Sequence, residues 1–91
     1  MNVNVFRYEV PVDDAWHDIT LSGPIVHVAS RNGDAVTVHF WALAGAGTPY
    51  TAKLRVFGTG HEVPLDAVYR GTAIAEPLVW HLFEKDEKGV V

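Results

Sequence analysis

Ninety-one residues leave room for one domain, and a chain of this length buries only roughly 60–65% of its unfolded surface, so the core is small. Cysteine is absent, which excludes a disulfide framework and thiolate metal sites and fits a reducing compartment. A formal net charge of −4 with no basic cluster makes nucleic acid an unsuitable partner, because a long phosphate backbone would on average be repelled.

The N-terminal stretch Met1-Asn2-Val3-Asn4-Val5-Phe6-Arg7 lacks the basic start and apolar run of a secretion signal. Nothing in the chain approaches the roughly 20 apolar residues that span a bilayer, so the expectation is a soluble intracellular protein with no membrane partner. Val3 to Val10 alternates, with Phe6, Tyr8 and Val10 on one face and Val3, Val5, Arg7 and Glu9 on the other, and predicts a first strand ended by Pro11. A short acidic link through Asp13 and Asp14 follows, then a brief strand from His17 to Leu21 and a turn at Ser22-Gly23-Pro24.

Ile25 to Ser30 and Ala35 to Leu43 read as the arms of a hairpin around Asn32-Gly33, because a type I′ turn needs positive φ at both central residues and Asn-Gly supplies it. A two-residue turn there pairs Ala29 with Val36, His27 with Val38 and Ile25 with Phe40. Val26, Val28, Thr37, His39, Trp41 and Leu43 then share the opposite face. Both faces are largely apolar, which predicts cover by a second sheet on one side and by another subunit on the other.

Ala44 to Pro49 is a Gly-rich loop. Tyr50 to Phe57 predicts a strand with Tyr50, Ala52, Leu54 and Val56 on one face and Thr51, Lys53, Arg55 and Phe57 on the other. After a break at Gly58-Thr59-Gly60, Val68 to Ala75 reads as a strand with a bulge at Gly71. Leu78 to Phe83, apolar on both faces, reads as a central strand, and Glu84 begins a charged stretch. The fold expected is all-β: one antiparallel β-sandwich or small barrel of about seven short strands over residues 1–85, with residues 86–91 as a mobile tail.

Five histidines, His17, His27, His39, His61 and His81, show no short ligand spacing, and the hairpin register places His27 and His39 on opposite faces, so no metal and no cofactor is expected. Gly58-Thr59-Gly60-His61 lacks the Lys-Ser/Thr of a phosphate-binding loop and reads as a tight turn. Ser22 and Ser30 sit in no nucleophile elbow, and the adjacent Asp13 and Asp14 point apart as loop carboxylates do, so an enzyme is not expected. Lys53 and Arg55 place two cations on one strand face, either as a solvated edge-protecting face or as a site for a small anionic ligand.

Three Trp, three Tyr and four Phe exceed what one small core needs, which points to self-association or a protein partner. Trp41 and Trp80 are expected in the core or a subunit contact, whereas Trp16 and Tyr50, at loop edges, are the partner-binding candidates.

Phe6-Arg7-Tyr8-Glu9-Val10-Pro11-Val12-Asp13-Asp14, Gly23-Pro24-Ile25-Val26-His27-Val28, Phe40-Trp41-Ala42, Arg55-Val56-Phe57-Gly58-Thr59-Gly60-His61 and Leu78-Val79-Trp80-His81-Leu82-Phe83 together resemble a family of small uncharacterised proteins encoded by phages of actinobacteria. The likeness spans roughly residues 5 to 84 and stops short of the tail after Glu84. It implies an early or accessory phage protein acting in the host cytoplasm and carries over no catalytic or ligand residue. Three roles fit: a non-enzymatic, self-associating module that binds a host or phage protein, a sponge for a nucleotide-like signal held by Lys53 and Arg55, or a minor virion component.

Overall fold

Period-two alternation broken by turn residues produces seven strands: β1 (Asn4–Pro11), β2 (His17–Leu21), β3 (Ile25–Ala29), β4 (Thr37–Ala44), β5 (Tyr50–Gly58), β6 (Ala67–Ala75) and β7 (Leu78–Lys85). The computed structural model describes residues 2–85; the expected mobile tail, residues 86–91, lies outside the described residues. The strands form two separate antiparallel sheets, ordered β1-β4-β3 and β2-β5-β7-β6, so the architecture is a sandwich and not a closed barrel.

One face of each sheet supplies the core. Val10, Val38, Phe40 and Ala42 from the three-stranded sheet meet Leu21, Ala52, Leu54 and Leu82 from the four-stranded sheet, all at most 1% exposed. Side chains of this size contribute about 1.5–3 kcal/mol each when fully buried, which makes Phe40, Leu54 and Leu82 the main apolar anchors. Tyr8 stacks on Phe40 with ring centroids 5.0 Å apart. Where β3 crosses β6 the sheets come so close that a Cβ on Gly71 would lie 2.5 Å from Val28 Cγ2. Only glycine fits there.

β6 carries its bulge where the sequence places it. Tyr69 pairs with Phe83 and Gly71 with Leu82, leaving Arg70 as the extra residue. β7 is central, between β5 and β6, as its two apolar faces imply. Glu76-Pro77, joined by a cis peptide, closes the β6–β7 hairpin in two residues.

The β3–β4 hairpin departs from the expected register. Asn32 and Gly33 do take positive φ, 54° and 70°, and the Asp34 amide donates to the Arg31 carbonyl at 2.9 Å, so the I′-type turn forms. The ladder does not run up to it. Ala29 faces His39, Val28 faces Phe40 and His27 faces Trp41, three residues out of step with the expected pairing. The reason lies on the other side of β4: the Val36 carbonyl accepts from the Val12 amide at 2.8 Å, continuing the β1 ladder, while the Val36 amide donates to the Asp34 side chain at 2.9 Å. The segment before β4 is held by β1, not by β3.

An odd shift exchanges faces along a whole strand. Val28 is therefore buried in the core, and His27 and His39 share the outer face of the three-stranded sheet instead of lying on opposite faces. On that face Arg7 Nη1 lies 2.9 Å from His39 Nδ1, and His39 is 6% exposed. The charged stretch at Glu84 is also corrected: Glu84 and Lys85 extend β7, and Glu84 is 7% exposed.

Candidate functional site: the outer face of the four-stranded sheet

β5 directs Ala52, Leu54 and Val56 inward and Lys53, Arg55 and Phe57 outward, as its alternation predicts. Register then places Phe83 of β7 opposite Arg55, and Tyr69 of β6 opposite Phe83. An aromatic row results. Trp16, from the link before β2, meets Phe57 edge-on at 5.9 Å; Phe57 meets Phe83 at 5.5 Å; Phe83 meets Tyr69 at 5.6 Å, with ring planes inclined at 66°, 85° and 65°. Edge-to-face pairs of this kind each add about 0.5–1.5 kcal/mol beyond their area.

Cations flank the row. The Arg55 guanidinium lies 4.5 Å from the Phe57 ring centroid, in cation–π contact. Its Nη2 is 3.8 Å from Asp14, while its buried Nε has no hydrogen-bond partner among the described residues. Lys53 donates to Asp18 at 2.9 Å. Both candidate anion-binding cations therefore face a carboxylate of the 13–18 segment, which satisfies much of the charge a phosphate would use. In the same segment His17 Nε2 donates to Asp13 Oδ1 at 2.8 Å, and that bond, with help from the Ala15 amide and nearby positive charge, holds the Asp13 carboxyl below the ordinary aspartate range.

Trp16 and Tyr50, the two partner-binding candidates, are not brought together. Trp16 packs on the outer face near the end of β5, whereas Tyr50 begins β5 on the inner-face register, and its hydroxyl donates to Glu84 Oε2 at 3.0 Å. Glu84 also accepts from Arg70 Nε at 2.9 Å, so the bulge residue and the strand-start tyrosine satisfy one buried carboxylate. Burial, reinforced by the Glu84 charge, raises the Tyr50 pKa above its ordinary value. Trp41 lies on the outer face of the other sheet against His27, with ring centroids 5.5 Å apart, and Trp80 packs on the core.

Phe83 was missed by sequence reasoning, and neither Phe57, placed on the Lys53–Arg55 face, nor Tyr69, counted among the interface aromatics, was joined to it in one row. Their parity was legible, but the row exists only because β7 lies between β5 and β6, a strand order that no local pattern encodes.

His81 has both ring nitrogens beside hydroxyls, Thr59 Oγ1 at 2.8 Å and Thr72 Oγ1 at 3.0 Å. Among the described residues no group of three or more His, Asp or Glu side chains could hold a metal ion. The turn Gly58-Thr59-Gly60-His61 is a tight turn, with Gly60 at φ 90° and the His61 amide donating to the Gly58 carbonyl at 3.1 Å. It borders an open groove of about 410 Å³ shared with Pro77, Leu78, Val79 and Trp80. No described helix is long and apolar enough to cross a membrane.

The profile of a domain of unknown function, DUF7352, matches residues 1–90. The chain belongs to the DUF7352 family. Comparison with curated proteins and with solved structures returns no significant match. The face just described is thus the surface of a DUF7352 domain, to be read from its own chemistry.

Proposed function

We propose that this DUF7352 protein is a non-enzymatic, self-associating binding module, a phage accessory protein that works in the host cytoplasm by capturing a host or phage protein. The observation that carries the reading is the aromatic row Trp16–Phe57–Phe83–Tyr69 on the outer face of the four-stranded sheet. Protein hot spots draw on Trp, Tyr and Arg held in place before contact, because a side chain already fixed loses little further entropy on binding. Trp16 is fixed by Phe57, Arg55 by Phe57 and Asp14, and Tyr69, 55% exposed, by Phe83. Tyr50 belongs to another face with its hydroxyl engaged, so the partner contact is assigned to Trp16 and Tyr69.

The test is capture from infected-host lysate on immobilised protein. A polypeptide retained by the wild type and by Tyr50→Phe, but lost with Trp16→Asp, is the expected result. Retention undiminished by Trp16→Asp removes this face from the reading. Native mass spectrometry of the same eluate separates the sponge: a bound species of a few hundred daltons lost with Arg55→Glu would replace protein capture by ligand sequestration.

A further inference from the structure

We infer that two copies of this chain join through the free edge of β1, about a twofold axis at Tyr8, merging their three-stranded sheets into one. This inference rests on the self-association part of the proposed function and is independent of the aromatic row.

The sandwich has four edge strands, β1, β2, β3 and β6. Open edges invite pairing with another chain, and proteins blunt them by shortness or bulges. β2 and β3 have five residues each, β3 is interrupted between Ile25 and His27, and β6 is interrupted at Arg70. β1 has eight residues in unbroken register with β4, and no described residue pairs with its other side. Val5 and Phe6 on it are 58% and 51% exposed.

Hydrogen-bonding direction on β1 follows from two observations. The Val12 amide donates to Val36 across the continued β4 ladder, so even-numbered residues direct their amides and carbonyls toward β4. Pro11, which has no amide, then falls on the odd set, where the β4 ladder loses nothing. The amides of Val5, Arg7 and Glu9 therefore point to the open edge. A second β1, antiparallel, must pair odd residues with odd.

Charge selects among the registers this allows. An axis at Tyr8 sets Arg7 opposite Glu9 of the second copy, and by symmetry Glu9 opposite its Arg7. Sliding one step either way sets Arg7 against Arg7 or Glu9 against Glu9. In the favoured register Arg7 and Glu9 exchange backbone hydrogen bonds, the Val5 amide reaches the carbonyl of Pro11, and Phe6 faces Val10 of the second copy. Glu9 is exposed and makes no ion pair among the described residues, so its carboxylate is free to take this partner.

The experiment is sedimentation equilibrium over a concentration series, with circular dichroism to confirm folding. Wild type is expected to reach the mass of two copies. Arg7→Glu and Glu9→Arg should each raise the dimer dissociation constant at least about tenfold by setting like charges opposite each other. Mixed one to one they should recover wild-type affinity, because the Glu introduced at 7 of one variant then faces the Arg introduced at 9 of the other, and on the far side of the axis the native Glu9 of the first faces the native Arg7 of the second. Single variants that associate like wild type, or a mixture no tighter than either alone, would overturn the edge while leaving self-association standing. Wild type at one-copy mass throughout would overturn both. If a variant misfolds, amide exchange of the wild type decides: protection of Val5, Arg7 and Glu9 that rises with concentration supports the pairing, and protection independent of concentration overturns it.

Discussion

Val56 and Phe57 are neighbours on β5, 4% and 3% exposed, and they are buried by different means. Val56 points into the sandwich and is covered by the opposing sheet. Phe57 points outward and is covered on its own sheet by Trp16 and Phe83, with Arg55 over its ring. The inner face holds the two layers together, whereas the outer face holds a small aromatic assembly on a single layer. Substitutions on the first should unfold the protein, and substitutions on the second should change what its surface offers.

The sharpest contrast is Leu54→Ala against Trp16→Asp. Leu54 is fully buried, so its truncation should cost about 2–5 kcal/mol in urea titrations, a sum of lost transfer energy and residual cavity. Next is Gly71→Ala, which drives a methyl into Val28 across the sheet interface and should cost about 1–3 kcal/mol. Adding Val28→Ala should return part of that loss, and strict additivity in the double-mutant cycle would show that the clash is not the cause. Trp16→Asp removes one edge contact from Phe57 and should cost only about 0.5–1.5 kcal/mol, with the far-ultraviolet spectrum unchanged.

The smallest effect is at high pH. The Tyr50 hydroxyl has its pKa raised in the folded state by burial and by Glu84, so its contribution is fully present below the unfolded tyrosine value of 10.0. It is lost as pH rises through the folded value. Thermal scans from pH 9 to 11 should show a steeper decline for wild type than for Tyr50→Phe, and parallel curves would remove Tyr50 from the linkage.

Local alternation was enough to read both faces of β1 and β5, and one glycine in an apolar run was enough to place the β6 bulge. Long-range competition was not legible. Asn32-Gly33 makes its turn, yet the register it implied fails because Val36 bonds to Val12, twenty-four positions earlier in the chain. Glu84 reads as tail because a carboxylate after an apolar strand normally meets water. It is buried because Arg70 and Tyr50, from two other strands, reach it. Trp16 was found as a candidate from its place in a loop, but the ring that holds it lies on β5.

The bulge on β6 bears on how this chain tolerates insertion and deletion. Removing Arg70 alone would leave Tyr69 facing outward and Gly71 inward, because a bulged residue is the one that the ladder does not count. The strand could therefore shed a residue and keep every other side chain on its present face. What would be lost is the guanidinium on Glu84, leaving a buried carboxylate with only a tyrosine hydroxyl. Position 70 is thus dispensable to the geometry of the sheet and required by its electrostatics, so a shortened strand would be expected to persist only together with a neutral residue at position 84.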